Sequence, residues 1–294
     1  MLLRFPRCRA VFISLVMSVL PLSGCSTGQL VARGASPLID YGVAAMDRET
    51  DLELARASIP ANLKMIEALV LADPGNAAYR VQAAMGFYGY ALGFVEADHP
   101  GRAIDLYRRA FDHAQIALER AGMTQTALTG DMATFRQTLG TLDVRAVPAL
   151  FWTASSWAKL IELQLDDPAR LAELPRVEAL MQRVLALDET YYHGGAHIFF
   201  GVYYGGRAPM FGGDFARAKR HFDRAAALNQ NRLLLVEVYR ARYLLRQMGD
   251  RAAFHAALKR VVDAPPSSDP DLNLANALAK KEAAALLTRE EDLF

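Results

Sequence analysis

From about Ile39 to the C-terminus, apolar residues recur at intervals of three and four, the spacing that gathers them on one face of a helix. Valine-rich alternating runs, the mark of half-buried strands, are absent. The helical stretches stop at clusters that combine a capping or turn residue with a breaker. These are Asp73-Pro74-Gly75-Asn76, Asp98-His99-Pro100-Gly101, Asp166-Asp167-Pro168, Met248-Gly249-Asp250 and Pro265-Pro266-Ser267-Ser268. Each predicts an elbow between two helices, so the chain reads as an all-α series of helical hairpins.

The pattern also repeats. A shift of 115 residues, without gaps, brings Asp73 onto Asp188, Gly86 onto Gly201, Tyr88 onto Tyr203, Ala103 onto Ala218, Tyr107 onto Phe222, Arg109 onto Arg224 and Ala110 onto Ala225. A weaker third copy is Asp250, Phe254 and Ala257. Leu228 and Val262, at the ends of two successive second helices, lie 34 apart, the period of a tetratricopeptide unit. In such a unit a glycine in the first helix admits the second. Alanines on the second helix line the contact, and the aromatic between them fills the groove. The expected fold is an α-solenoid of tetratricopeptide-like hairpins with an internal pseudo-repeat, less regular from about Ala121 to Leu165.

The N-terminus departs from this pattern. Arg4, Arg7 and Arg9 form a basic segment, and Val11 to Leu22 an apolar one too short to span a bilayer. Leu22-Ser23-Gly24-Cys25 follows and resembles the lipobox of bacterial lipoproteins. The resemblance implies cleavage before Cys25 and acylation of its sulfur, so that lipid chains and not a transmembrane helix hold the chain to a membrane. The expected layout is a signal peptide over 1–24, a lipidated tether of small and polar residues over 25–38, and one helical domain over 39–294. Cys8 would leave with the signal and Cys25 would carry lipid, so no disulfide is available and the domain must rely on its packed core. A chain of this length can bury one.

Charge and composition narrow the function classes. The 33 basic side chains, less Arg4, Arg7 and Arg9, face 32 acidic ones, so the exported chain is close to neutral and lacks the basic footprint of a nucleic-acid binder. Hydrophobic residues make up 52%, but much of that is alanine, which suits close helix packing.

One stretch, GGAHIFFGVYYGGRAPMFGGDFARAKRHFDRA at 194–225, invites chemistry. Its glycines lack the Lys and Ser/Thr of a phosphate loop, and no strand precedes them. His193 and His197 stand four apart, which would place both imidazoles on one helix face. Gly194 occupies the position where a zinc-protease helix carries Glu, and no acidic residue of the helix offers a third ligand, so no metal is assigned. His193-Gly194-Gly195 faintly resembles an oxyanion-hole stretch, but the Gly-x-Ser-x-Gly elbow is missing. Asp166, Asp167, Glu290, Glu291 and Asp292 sit at predicted helix ends, where capping or solvated carboxylates belong. With no nucleophile, base and orienter to assemble, neither an enzyme nor a cofactor is expected.

Aromatic density is the more informative signal. Trp152 and Trp157 are five residues apart, so their indoles diverge by about 140° and face different neighbours. Tyr191, Tyr192, Tyr203 and Tyr204 gather near one hairpin with His193 and His197, and Tyr88 heads the equivalent stripe in the earlier half. Most such residues pack between helices. The set Trp152, Trp157, Tyr191, Tyr192, His193, His197, Tyr203, Tyr204 and Tyr88 is the candidate lining of a mostly apolar cavity with polar tips. Gly205, Gly206, Gly212 and Gly213 bound an enlarged elbow whose tip, Pro209, Met210 and Phe211, is the candidate partner contact. Asp214 is placed to cap the helix after it.

Four stretches then carry a family resemblance: YGYALGFVEADHPGRAIDLYRRAFDHAQIAL, ALDETYYHGGAHIFFGVYYGG, FGGDFARAKRHFDRAAALNQNRLLLVEVYRARY and NLANALAKKEAAALLTREEDLF. They resemble TatT, the T-component associated with tripartite ATP-independent periplasmic (TRAP) transporters. The resemblance implies a periplasm-facing lipoprotein, homotrimeric, that docks onto a substrate-binding P-component. It also implies a pore or cavity through the solenoid for a small or apolar ligand. Ser26 stands where an inner-membrane retention signal carries Asp, which favours the outer membrane. The alternative on the same scaffold is a lipoprotein for envelope or outer-membrane assembly that holds peptide segments in its concave face.

Overall fold

A computed structural model describes residues 27–294; the expected signal segment and Cys25 lie outside the described residues. The helices follow in order as α1 (Thr27–Asp47), α2 (Leu52–Ala72), α3 (Ala77–Phe94), α4 (Pro100–Arg120), α5 (Gln125–Thr129), α6 (Met132–Thr141) and α7 (Val147–Glu162). They continue as α8 (Pro168–Leu171), α9 (Leu174–Leu187), α10 (Tyr191–Gly205), α11 (Phe215–Leu228), α12 (Leu235–Tyr239), α13 (Arg251–Asp263), α14 (Asn273–Thr288) and α15 (Glu290–Leu293). A π-helical segment, Arg240–Leu245, continues α12. No strand occurs among the described residues, so the fold is all-α and compatible with tetratricopeptide-like hairpins.

The predicted elbows are where the helices end, and their polar residues act as caps. Asn76, Asp167, Asp214 and Asp250 each accept a hydrogen bond from a backbone N–H of the first turn they precede, satisfying a donor that has no partner inside the helix. Residues 27–38, expected as a tether, instead form the first part of α1. Arg33 donates to Asp73 at 3.0 Å, and such a polar attachment leaves no apolar period to read in the sequence.

The 115-residue shift carries α2–α3–α4 onto α9–α10–α11. Ala103, Tyr107 and Ala110 are fully buried, as are Ala218, Phe222 and Ala225. The glycines, however, do not play one role. A Cβ on Gly201 would lie 2.7 Å from the Phe222 ring of α11, as a hairpin requires, whereas a Cβ on Gly86 would lie 2.5 Å from Leu63 of the preceding α2. Tyr107, at the place of Phe222, leans edge-on against Tyr88 at 5.3 Å and sends its hydroxyl to Glu96.

The first and last helices of the described chain meet. Arg48 pairs with Asp271 at 2.6 Å, Asn273 Nδ2 donates to the Arg48 carbonyl at 3.3 Å, and α14 packs on α1 and α2. Gly93 of α3 lies so close to Leu278 of α14 that a Cβ there would approach it to 2.8 Å. These contacts place α14 beside α1, α2 and α3.

Candidate ligand-binding interior

Lys159, in the last turn of α7, lies at the centre of a buried ion network. It is 7% exposed. Its Nζ lies 2.7 Å from Glu96 Oε1 and 2.8 Å from Glu162 Oε2, so one ammonium serves two carboxylates. Tyr107 donates to the other oxygen of Glu96, and Tyr243 to Glu162 Oε1 at 3.0 Å. Burial opposes ionisation of Glu162, but Lys159, Tyr243 and Arg242 outweigh it and hold the carboxyl below its ordinary range. Beside this chain of groups Arg242 pairs with Glu282 of α14 at 2.8 Å.

Tyr88, Tyr192 and Tyr239 lie near this network in the electrostatics of the site. Among the described residues, none of their hydroxyls has a hydrogen-bond partner. Burial pushes all three phenols well up, aided by Glu96 and Glu162 at Tyr88, by Asp47 at Tyr192, and by Tyr88 and Glu282 at Tyr239. Yet Tyr192 is 46% accessible. Tyr239 and Tyr243, 5.7 Å apart edge to face, flank the junction of α12 with the π segment. That rare helical form often marks functional positions.

The start of α10 is strained. Tyr192 (φ 49, ψ 55), His193 (φ 60, ψ 31) and Gly194 (φ 79, ψ 30) form a left-handed turn. Such a backbone costs about 1–2 kcal/mol per non-glycine residue, and strain of this kind gathers at ligand sites. Here it sets the Tyr192 ring edge-on to Trp152 at 4.7 Å and 5.6 Å from Phe151. The expectation that His193 and His197 share one helix face is therefore corrected: right-handed helix begins only after Gly194, so the i,i+4 relation does not apply.

Of the residues singled out in the sequence, Tyr88, Trp152, Tyr191, Tyr192 and His193 are brought together through ring contacts of 4.7–6.3 Å. The other four lie elsewhere, and among the described residues no ring pair joins the two groups. Trp157 packs on Phe111 at 5.3 Å and donates to Glu173 at 2.6 Å. Tyr203 donates to Glu178 and carries Arg207 over its ring at 3.9 Å, and Tyr204 carries Arg217 at the same distance. His197 bridges Glu189 at 3.0 Å and His221 at 2.9 Å. Sequence reasoning passed over Glu96, Tyr107, Glu162, Tyr239, Arg242, Tyr243 and Glu282, and over Lys159, although a lone lysine inside LFWTASSWAKLIEL with Glu162 one turn on was a signal. Among the described residues no three metal-ligating side chains converge.

Burial, then the charges of His197, Arg217 and Arg220, push His221 down to about 4. Native His221 thus stays neutral while an unfolded histidine gains a proton near pH 6.5, so stability is full above that value and declines toward pH 4. Melting followed by circular dichroism should show a drop between pH 7 and pH 5 that is smaller in His221→Phe, whose ring keeps the stacking on Phe200 and Tyr204. Equal drops would show that His221 does not contribute to the acid response.

The elbow between α10 and α11 is built rigidly. Gly213 N–H donates to Ala208, Asp214 N–H to Tyr204 and Arg207 Nε to Tyr203. A Cβ on Gly213 would collide with the Arg207 carbonyl. The loop presents Met210 and Phe211, 82% and 73% exposed, on a short 3₁₀ turn at Pro209–Phe211. An outer groove of about 440 Å³ beside α13 is lined by Glu237, Arg240 and Arg260, which already pair with one another.

The described chain is all-helical, with a buried Lys159–Glu96–Glu162 network and an exposed apolar loop at Pro209–Phe211. The family model of the TRAP transporter T-component matches residues 48–294, and this chain belongs to that family. It is thus a periplasm-associated component that works with TRAP transporters. A protein of Treponema pallidum (strain Nichols) described only as uncharacterized is 24% identical over 262 residues, spanning 84% of this chain and 81% of its own length. Among the described residues no helix is long and apolar enough to cross a membrane.

Proposed function

We propose that this chain is a lipid-anchored T-component that docks onto the substrate-binding P-component of its transporter and holds a small ligand in its interior. The observation that carries the reading is the set of unpartnered tyrosine hydroxyls around a buried ion network, enclosed by the meeting of α14 with α1–α3. Docking is assigned to Pro209, Met210 and Phe211, because a preorganised loop with exposed apolar side chains loses little freedom on binding. The anchor is Cys25, following Leu-Ser-Gly, with Ser26 favouring the outer membrane. Self-association, as a trimer by family resemblance, is supported by the exposed Leu38 and Tyr41 of α1 and Met65 and Leu71 of α2.

Capture of the P-component encoded with the same transporter tests the docking. Met210→Asp combined with Phe211→Asp should weaken it at least about tenfold, since central apolar anchors carry most of such binding. The melting curve should not move, because both side chains are exposed. Undiminished capture would remove the loop from the interface.

A further inference from the structure

The start of α1 fixes which end of the domain lies nearest the expected lipid. Cys25 stands two residues before Thr27, where α1 begins, and two residues reach at most about 7 Å. The helix is fastened along its length. Gln29 and Arg33 donate to Asp73 at 3.5 and 3.0 Å, and Asp40 accepts from Gln82 at 2.9 Å. These pairings run α1 parallel to α3 and set its start at the elbow between α2 and α3, Asp73–Asn76.

The same elbow carries basic charge that no carboxylate takes. Arg80, in the first turn of α3, is half-buried, and its Nη1 lies 3.3 Å from His113 Nδ1 of α4. Arg120 ends α4 seven residues after His113, about 20° round the same face, and is exposed. Among the described residues neither guanidinium has an acidic partner. Asp73 is taken by Arg33, and Glu67 by Lys64 and Arg109. Glu119 stands about 120° from His113 around α4, off this face. Burial first, and Arg120 second, lower the Arg80 guanidinium below its ordinary range, as befits a cation without a counter-charge.

The docking loop lies at the other end. The last turn of α7 meets the α3–α4 elbow, where Lys159 pairs with Glu96. The helices α7 and α10 start together, with Phe151 against Tyr191 at 5.4 Å. They also end together, because Tyr243 donates to Glu162 and lies 3.3 Å from where a Cβ on Gly206 would be. Pro209–Phe211, just after α10, is thus on the side of the α3 C-terminus. The 18 residues of α3 put about 27 Å between the two ends.

We propose that the α2–α3 elbow rests on an anionic lipid surface, with Arg80 and Arg120 meeting phosphate head groups and Pro209–Phe211 facing away from the bilayer. Lipid phosphates supply the counter-charge that the chain itself does not, and a guanidinium suits them geometrically. The proposal rests on the reading of Cys25 as the anchor and adds the attitude in which that anchor holds the domain. The loop then stands clear of the membrane, where a soluble P-component can reach it.

Two measurements test it. The mature chain with Cys25→Ser carries no acyl group, and should co-sediment with phosphatidylglycerol vesicles but not with phosphatidylcholine vesicles. Arg80→Gln with Arg120→Gln should weaken that binding at least about tenfold, and the double lysine variant should keep most of it. Circular dichroism melts identify a variant that fails to fold, and Arg120→Gln alone, at an exposed position, should still weaken binding. The acylated chain gives the orientation. Its Cys25 sulfur is blocked, so a thiol introduced at Gly75 or Gly101 is the one site for a bimane label. Both glycines are exposed with open space around them, at opposite ends of the α3–α4 hairpin. Lipids with nitroxide head groups should quench the label at 75 strongly and the label at 101 barely. Absence of phosphatidylglycerol binding, full binding by the folded double glutamine variant, or equal quenching at 75 and 101 would each overturn the proposal. The mass of the native chain reports the anchor separately. An unmodified Cys25 alongside phosphatidylglycerol binding sinks the anchor and supports the lipid surface.

Discussion

Lys159→Met should lower stability by about 3–5 kcal/mol, the cost of removing one partner from a buried ion network. The substitution keeps the length and most of the volume of the side chain, so packing loss is small. What remains is Glu96 and Glu162 facing each other without the ammonium that each approaches within 2.8 Å. Glu162 keeps its bond from Tyr243, and part of its surface is wet, which places the expected loss toward the lower end. At about 2–4 °C per kcal/mol for a domain approaching this size, the melting temperature should fall by roughly 10 °C. Adding Glu96→Gln and Glu162→Gln should recover most of it, because neutral amides need no counter-charge and can still meet Tyr107 and Tyr243. Guanidinium unfolding of the single and triple variants measures both. A single-variant loss under about 1 kcal/mol would mean that the three groups are solvated and the interior is open water.

Gly201→Ala and Gly86→Ala should part company, although the two glycines occupy equivalent positions of the repeat. A methyl on Gly201 would meet three atoms of the Phe222 ring at 2.7–2.8 Å, and Phe222 is fully buried with no room to withdraw. Overpacking of that kind costs about 1–3 kcal/mol. A methyl on Gly86 would meet the far end of Leu63, which can change rotamer, and alanine gains about 1 kcal/mol of helix propensity over glycine, so that variant should be near neutral. Phe222→Ala alone should cost about 3–5 kcal/mol through the cavity it leaves. Gly201→Ala with Phe222→Leu should cost less than the sum of its parts, since the smaller side chain vacates the space that the methyl enters. Equal effects at Gly86 and Gly201 would show that the helix contacts around them are alike after all.

The difference between those glycines illustrates how the sequence relates to the structure. The helices, their elbows and caps, and the register of the repeat were legible, because each depends on residues within a few positions of one another. The resemblance of four stretches to the T-component family was legible too. The ring contacts divide the candidate lining: Tyr88, Trp152, Tyr191, Tyr192 and His193 are joined by ring contacts, while Trp157, His197, Tyr203 and Tyr204 make other contacts. Aromatic clustering in sequence shows where large rings are, but a helix turns only some of them inward, and the 140° between Trp152 and Trp157 sends one to Tyr192 and the other to Phe111. The left-handed turn at Tyr192 was invisible, since the spacing of His193 and His197 imitates an ordinary helix.

By itself, then, the sequence determined an all-helical chain with its elbows and caps, because helix formation and capping are local, and it carried the family resemblance. Only the tertiary structure decided what the interior contains. The bond between Tyr243 and Glu162 joins residues 81 apart, Lys159 reaches Glu96 across 63, and Arg48 meets Asp271 across 223. Such pairings arise when distant helices pack together, and no periodicity along the chain encodes which distant face will be opposite. That packing joins Lys159 to Glu96 and Glu162, and those carboxylates to Tyr107 and Tyr243.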